Sequence, residues 1–244
     1  MADVLLKEGE SLDDLQLNNL GIIQKNDGFR YGSDAVLLSN YVKVPPNARV
    51  LDLGTGTGII PLLLSAKTKA SHITGIEIQP DIAEMAKRSI ALNHLEDKIE
   101  IVQGDFLNAL EWFGSGSFDA VVTNPPYTKP RGGLINPNDT KAVSRHEIYC
   151  TLEQLIAVSS KLLKQYGRFF MIHRPERLVD IFCTMRENKI EPKSMRLVHG
   201  HKGKPATLVL IYGLKNGNSQ VTVEQPLYVY AEDKNGTLQQ EIKK

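Results

Sequence analysis

Four consecutive residues, Asn124-Pro125-Pro126-Tyr127, place an amide, two rigid prolines and an aromatic ring directly after an apolar run. The side-chain carbonyl of Asn124 and the main-chain carbonyl of Pro125 could accept hydrogen bonds from the N–H groups of a planar amine. These bonds would orient the lone pair of the amine for nucleophilic attack. The prolines fix φ and hold these acceptors in place, and the Tyr127 ring could stack on a planar substrate. This pattern predicts a site that modifies an exocyclic amine. The alternative is a strand that ends in a Pro-Pro turn.

A second group of residues could hold a cofactor. The segment VLDLGTGTGII carries Asp52 and then glycines 54, 56 and 58, with Thr55 between the first two. Glycines after a strand let a ligand approach the backbone closely, and the N-terminus of the following helix offers free N–H groups. A dinucleotide fingerprint, G-x-G-x-x-G, would need its third glycine at Ile59, so the observed G-x-G-x-G disfavours a nicotinamide cofactor.

Two more acidic residues follow apolar segments. Glu77 and Ile78 end the run ITGIEI, and Glu77 could accept hydrogen bonds from both hydroxyls of a ribose. Asp105 and Phe106, in GDFLNA, provide an acceptor and an apolar neighbour for an adenine ring. Three strand ends are therefore expected to bind the amino-acid, ribose and adenine parts of one cofactor.

The elements that must position these groups alternate between short apolar strands and amphipathic helices, which predicts a parallel sheet covered on both faces. The predicted strands are Arg49–Leu53, His72–Ile76, Ile99–Gln103, Phe118–Thr123, Gly167–His173, Ser194–Val198 and Thr207–Tyr212. The predicted helices are Ile59–Lys67, Ile82–Asn93, Leu152–Leu163 and one that begins near Pro175. The last two strands are joined by the short loop HGHKGKPA, which requires them to be antiparallel.

One domain is expected over residues 1–244, because the chain is short for two. Within it we expect a lead-in (1–45), a catalytic core (46–215) and a C-terminal extension (216–244). The polar stretch from 128 to 148 is too long for an ordinary connection and is predicted to be a functional loop.

From Arg49 to Tyr212 the chain resembles the class I S-adenosyl-L-methionine (SAM) methyltransferases, in its glycine pattern, the acids after strands two and three, and the reversed last strand. The resemblance implies a Rossmann-like α/β fold with a seven-stranded, mostly parallel sheet, one reversed strand and helices on both faces. It also implies SAM as cofactor, S-adenosylhomocysteine as product and no metal. The tetrad at 124–127 resembles the N/DPPY/F signature of enzymes that methylate adenine, cytosine, some RNA guanines or protein glutamine.

A narrower resemblance is to the bacterial tRNA1(Val) adenine-37 N6-methyltransferases, in particular their Gram-positive branch. It rests on the lead-in GIIQKNDGFRYGSDAVLLSNYV and on the stretches SRHE (144–147) and KPATLVLI (204–211). The resemblance implies that Tyr31, Ser33 and Asp34 lie over the cofactor. Ser33 is a credible helix N-cap, with Asp34 beside it. Glutamine-modifying relatives carry a helical domain before the SAM domain, and little room for one precedes Arg49.

The distribution of charge is compatible with RNA as substrate. The formal net charge is +1, yet residues 128–204 hold fifteen Lys/Arg against seven Asp/Glu, a surplus of eight positive charges. Such a basic face predicts that a polyanion binds there. Flipping an unpaired adenine out of an anticodon loop costs little free energy. The expected RNA-binding residues are Lys129, Arg131, Lys141, Arg145, His146, Lys202 and Lys204. His146 could instead be a general base.

Composition excludes several other classes. No apolar run is long enough to span a bilayer, the N-terminus lacks the pattern of a signal peptide, and the two cysteines have no metal-ligand spacing. We therefore expect a cytoplasmic tRNA methyltransferase that needs no obligate protein partner. The alternatives are a protein-glutamine methyltransferase, an rRNA or DNA amino-methyltransferase, or a SAM- or RNA-binding protein without turnover.

Overall fold

The computed structural model describes residues 6–27, 30–126 and 151–230. The described strands are β1 (Glu10–Asp14), β2 (Gly21–Lys25), β3 (Arg49–Leu53), β4 (His72–Glu77), β5 (Ile99–Gln103), β6 (Phe118–Thr123), β7 (Leu163–His173), β8 (Ile190–His199), β9 (Ala206–Lys215), β10 (Thr222–Val223) and β11 (Leu227–Tyr228). The described α-helices are α1 (Ser33–Tyr41), α2 (Ile59–Lys67), α3 (Pro80–Leu92), α4 (Ala109–Phe113), α5 (Leu152–Leu162) and α6 (Leu178–Glu187). Short 3₁₀ helices precede α4 and α6, at Phe106–Asn108 and Pro175–Arg177.

The main sheet has the mixed topology that the sequence predicts. The described strands follow the order β8-β9-β7-β6-β3-β4-β5, with the two-residue strands β10 and β11 beside β8. Strand β9 is antiparallel to both β7 and β8, and the other described pairs of this sheet are parallel. The reversed strand therefore lies one place in from β8, as its short connection to β8 requires.

The predicted number of strands was wrong in one respect. The seven predicted strands all form, but the sheet in the described part of the chain contains nine. The additional strands, β10 and β11, come from the predicted C-terminal extension and pair with the edge strand β8. Two-residue strands carry no periodicity, so no sequence pattern predicts them.

The sheet is covered on both faces, as a mostly parallel sheet requires. Alternate residues of each central strand point to opposite sides, so Val50 packs with α1, α2 and α3 while Leu51 packs with the α5–α6 side. Strand β6 behaves in the same way, with Val122 on the first side and Val121 on the second. Both faces of these strands are apolar, which explains their near-continuous hydrophobic sequence.

A separate antiparallel hairpin, β1–β2, packs against α3. The side-chain amide of Asn93 replaces a neighbouring strand at Gly21: Oδ1 accepts the Gly21 N–H at 2.9 Å and Nδ2 donates to the Gly21 carbonyl at 2.7 Å. The Arg88 guanidinium donates to Glu10 at 2.6 and 2.8 Å. The lead-in is thus fixed to the helix that follows Glu77.

Candidate active site

The carboxyl ends of the central parallel strands lie at one level of the sheet. Leu53 pairs with Ile76 on one side and with Thr123 on the other, and Ile76 pairs with Val102. The residues that follow these positions therefore come together along one edge. They include the glycine-rich loop, Glu77, Asp105 and Asn124.

The glycine-rich loop turns through backbone conformations that only glycine adopts at low cost. The φ angles of Gly54, Gly56 and Gly58 are 74°, 57° and 83°. The N–H groups of Gly54 and Thr55 donate to the Ile76 carbonyl at 3.0 and 2.9 Å, which fixes the loop to the end of β4. A Cβ at Gly54 or Gly56 would meet no atom within 4 Å, whereas one at Gly58 would touch Ala86 of α3 at 3.4 Å. The first two glycines thus leave space for a ligand, and the third lets α2 pack on α3.

Asp52 is fully buried, one residue before the end of β3. Neither of its carboxyl oxygens has a hydrogen-bond partner among the described residues. Burial raises the pKa of Asp52 to about 7; the nearby Thr55 hydroxyl opposes this shift, although the two groups lack the geometry of a hydrogen bond, and the charge of Glu77 adds to it. A buried, unpaired carboxyl group is costly unless a ligand completes it, so Asp52 could accept a donor or a positive charge from a cofactor.

Glu77 ends β4 with a side chain that is 1% exposed. Oε2 accepts the Gly56 N–H at 2.9 Å, and Oε1 accepts the Gln79 N–H at 3.0 Å. These bonds hold the carboxylate against the glycine-rich loop, at the place where a ribose is expected. Gly56 and Glu77 are therefore positioned as one unit.

The predicted adenine-binding residues lie at the next strand end. Asp105 follows β5, and its Oδ1 accepts the Leu107 N–H at 2.9 Å, so that it caps the 3₁₀ helix. Phe106 and Ile78 are partly buried beside this turn and the end of β4. Because neither side chain is fully buried, part of its apolar surface stays accessible beside this turn.

Asn124, Pro125 and Pro126 leave the sheet directly beside the glycine-rich loop. Thr123, the last residue of β6, is buried, and its hydroxyl donates to the Leu53 carbonyl at 3.1 Å. This bond links the residue before Asn124 to the residue before Gly54. Asn124 and Pro125 are partly buried and Pro126 is exposed, so the chain passes from the buried sheet toward the surface over these three residues.

Part of the prediction for the lead-in is corrected. Gly32, with φ −96° and ψ 175°, is the N-cap of α1, and Ser33 is the first helical residue. The predicted cap at Ser33 was therefore wrong by one position, because a glycine takes the extended cap conformation as readily. Asp34 does lie in the first turn of α1. Tyr31 is partly buried, and its N–H donates to Gln24 Oε1 at 2.9 Å.

The predicted RNA-binding residues divide into two groups. Lys202 and Lys204 are exposed in the loop between β8 and β9, which leaves the sheet at the same edge as Asn124. The other predicted RNA-binding residues lie outside the described part of the chain: Lys129, Arg131, Lys141, Arg145 and His146. The same is true of Tyr127, the last residue of the predicted tetrad.

Two residues of this edge were not singled out from the sequence. A Cβ at Gly75 of β4 would meet the Thr55 side chain at 2.8 to 2.9 Å, so this glycine makes room for the loop. A glycine inside a strand pattern was the available signal. His173 ends β7 and is 4% exposed. Burial lowers its pKa to about 4, and no sequence pattern distinguishes such a histidine from an exposed one.

Metal-binding clusters and membrane-spanning helices are both absent from the described residues. No group of three or more His, Cys, Asp or Glu side chains there is arranged to hold a metal ion. Within the same ranges, no helix has the length and apolar character needed to cross a membrane.

The fold matches known methyltransferase structures. A predicted O-methyltransferase, protein Atu636 from Agrobacterium tumefaciens, superimposes with a TM-score of 0.65 at 24% identity, over 80% of this chain and 87% of that one. TYW2 from M. jannaschii, solved in complex with AdoMet, gives a TM-score of 0.58 at 13% identity, over 85% and 86% of the two chains. At these identities the comparison shows the fold alone.

Sequence comparison is more specific. The model of the family described as "Methyltransferase small domain" matches residues 25–182. The tRNA1(Val) (adenine(37)-N6)-methyltransferase of Porphyromonas gingivalis is 36% identical over 175 residues, which cover 69% of this chain and 68% of the relative. The protein of the same name from a Flavobacteriaceae bacterium is 27% identical over 208 residues, or 84% and 85% of the two chains. The chain therefore belongs to the methyltransferase small domain family, among the relatives named tRNA1(Val) (adenine(37)-N6)-methyltransferase.

Proposed function

We propose that this protein transfers a methyl group from SAM to the exocyclic N6 amine of an adenine in tRNA. The observation that carries the proposal is the alignment of strand ends, which places Asn124 and Pro125 directly beside the glycine-rich loop. The names of the relatives support adenine 37 of tRNA1(Val) as the substrate, and we propose that the protein acts on the anticodon loop of this tRNA. We also propose a cytoplasmic location and activity without an obligate protein partner.

The residues present fit SAM as the cofactor. Asp52 provides a buried carboxyl group that lacks a partner among the described residues, suited to the amino-acid end. Glu77 would bind the ribose hydroxyls, and Asp105 with Phe106 and Ile78 would bind the adenine. The open space at Gly54 and Gly56 admits the ligand to the backbone. When bound, SAM supplies a methyl group on a sulfonium, an activated carbon that needs no metal.

The role of the tetrad follows from the chemistry of an aromatic amine. The lone pair of such a nitrogen is delocalised into the ring, so it is a poor nucleophile. In our proposal the Asn124 side-chain carbonyl and the Pro125 main-chain carbonyl accept hydrogen bonds from the two N–H groups of the amine. These bonds turn its lone pair toward the methyl donor. Pro125 and Pro126 hold the acceptors rigidly, and Tyr127 is assigned the stacking role that its sequence position suggests.

The test is transfer of labelled methyl from SAM to purified tRNA, followed by mass spectrometry of the nucleosides. We expect N6-methyladenosine at position 37. A deletion strain should lose this nucleoside from one isoacceptor. Labelling of a release-factor peptide instead of tRNA would contradict the proposal and favour glutamine methylation.

Asn124→Ala tests the mechanism in the same assay. Loss of one acceptor that acts mainly in the transition state should lower kcat by at least about 100-fold. Affinity for SAM, measured by calorimetry, should change little because the loop and Glu77 are intact. Asn108→Ala is a matched control, since Asn108 is exposed and makes no capping bond with its side chain. Activity of Asn124→Ala close to that of the control would contradict the assignment.

A further inference from the structure

The C-terminal strap, residues 222–230, runs along the outer edge of the main sheet. It is parallel to β8, through β10 and β11, and the Glu224 N–H donates to the Met195 carbonyl at 2.8 Å. The Tyr41 hydroxyl pairs with Ser194 at 2.5 Å and donates to Glu224 at 3.1 Å, which ties the strap to α1. The strap therefore has a fixed course that ends at the carboxyl edge of β8.

At that edge the strap places two tyrosines beside two histidines. Tyr228 pairs with His199 in the parallel register, and their ring centroids are 5.5 Å apart. One step further, the rings of Tyr230 and His201 are stacked, with centroids 5.0 Å apart and planes 24° from parallel. The Tyr230 N–H donates to the Gly200 carbonyl at 3.0 Å, which holds the second pair in place.

The second pair remains accessible although it is held. Tyr230 is 39% exposed and His201 is also exposed. Lys202 and Lys204 follow His201 in the same exposed loop, and the Lys204 carbonyl is 2.6 Å from His199 Nδ1. A flat aromatic surface is thus presented next to two lysines.

The pair lies on the same edge as Asn124, at a distance from it. Thr123 is level with Met171, Ile211 and Met195 across the sheet. His199 is four residues beyond Met195, or about 13 Å. From β8 to β6 there are three strand spacings, or about 14 Å. Together these steps put the aromatic pair roughly 20 Å from the start of the tetrad, too far to touch the base being methylated.

We propose that the His201–Tyr230 pair is a stacking platform for an unpaired nucleotide of the RNA, a few nucleotides away from the target adenine. Every base offers a flat face, so stacking on an aromatic ring tolerates any sequence, and lysines beside the ring bind the flanking phosphates. The platform would fix where a bent loop of RNA lies and so which adenine reaches Asn124. This inference rests on the proposed function, because it concerns the same substrate.

The test compares three variants of Tyr230, one variant of His201 and a control in methyl transfer to a tRNA that the wild-type chain methylates. Tyr230→Phe keeps the ring and should behave as wild type. Tyr230→Leu and Tyr230→Ala remove the flat ring, and KM for tRNA should rise about fivefold or more with kcat unchanged. His201→Ala should raise KM in the same direction. Tyr166→Ala is the control, because Tyr166 is 62% exposed near the opposite end of β7.

A second measurement separates the platform from the transfer reaction. Binding of a short single-stranded oligoribonucleotide, followed by fluorescence anisotropy, should weaken in Tyr230→Leu by the same factor at every salt concentration, since stacking involves no charge. Wild-type KM in Tyr230→Leu, or a loss in Tyr230→Phe equal to that in Tyr230→Ala, would overturn the platform. The platform would also be overturned if the wild-type chain bound a peptide in a Tyr230-dependent way but did not bind the oligoribonucleotide. If the wild-type chain transferred no methyl group from SAM to any tRNA, the proposed function would be contradicted. The anisotropy measurement would still test the platform.

Discussion

At the scale of single residues, Asp52 connects cofactor binding to protonation. Its carboxyl group is buried without a hydrogen-bond partner in the described ranges, and its pKa is raised by burial from 3.8 to about 7. An aspartate with a raised folded-state pKa stabilises the folded protein in its protonated form. The stability is therefore fully present below 3.8 and is lost as the pH rises through about 7.

The loss of stability with rising pH leads to a prediction for Asp52→Asn, which replaces the titrating carboxyl group by a neutral amide. Relative to wild type without cofactor, the variant should gain stability as the pH rises from 5 to 8, by on the order of a few kcal/mol. Denaturant unfolding at both pH values measures the change.

Asp81→Asn provides the control for this titration. The hydrogen bond from Lys25 lowers the pKa of Asp81, so its contribution is lost only in acid. Its difference from wild type should be the same at pH 5 and pH 8. A pH-independent difference for Asp52→Asn as well would show that Asp52 stays ionised in the folded protein.

At the scale of elements, the glycine-rich loop depends on a gap in the neighbouring strand. Gly75 of β4 leaves space that the Thr55 side chain fills, and Thr55 sits between the two glycines expected at the cofactor. A side chain at position 75 must push Thr55, and with it the loop, away from β4.

Gly75→Ala is therefore expected to weaken SAM binding about tenfold or more while most of the fold persists. The double variant Gly75→Ala, Thr55→Gly removes the clashing atoms and should recover part of the affinity. Gly200→Ala is a suitable control, because a Cβ there would meet no atom within 4 Å. Calorimetry measures the SAM affinity of each variant. Equal losses of affinity in Gly75→Ala and in the double variant would mean that the clash with Thr55 does not cause the loss.

The elements also show how far sequence patterns reach. Strands such as Arg49–Leu53 and Phe118–Thr123 were predicted with their observed bounds, since each is an apolar run of strand length between turn residues. The residues expected at the cofactor follow successive strand ends, and the structure aligns those strand ends; that they bind a cofactor stays a prediction. Strands β10 and β11 were missed because pairing with β8, not local pattern, makes them strands. The cap of α1 was misplaced because glycine and serine compete for that position.

At the scale of the whole molecule, two exposed lysines lie at the edge of the sheet from which Asn124 emerges. The loop with Lys202 and Lys204 follows β8, the strand that pairs with the strap. It leaves the sheet at the edge from which Asn124 emerges. Lys69, by contrast, is exposed between α2 and β4, at the opposite edge. A polyanion bound at the active site should therefore contact Lys202 and Lys204 but not Lys69.

Affinity for tRNA should accordingly fall steeply as salt is added, with a linear dependence of log K on log salt. Lys202→Gln together with Lys204→Gln should reduce the slope by roughly one to two. Lys69→Gln should leave it unchanged. Filter binding over a range of KCl concentrations measures the slopes, and a slope near zero for the wild-type chain would remove the case for phosphate contacts.

The strap also bears on the order in which the protein is assembled during synthesis. Translation delivers the cofactor residues first, because Asp52, Glu77, Asp105 and Asn124 all precede residue 125. The strap is made some hundred residues later and can pair with β8 only after β8 and β9 exist. The surface assigned to the RNA is thus completed last, so a nascent or prematurely terminated chain would acquire its cofactor-binding strands before it could hold a tRNA.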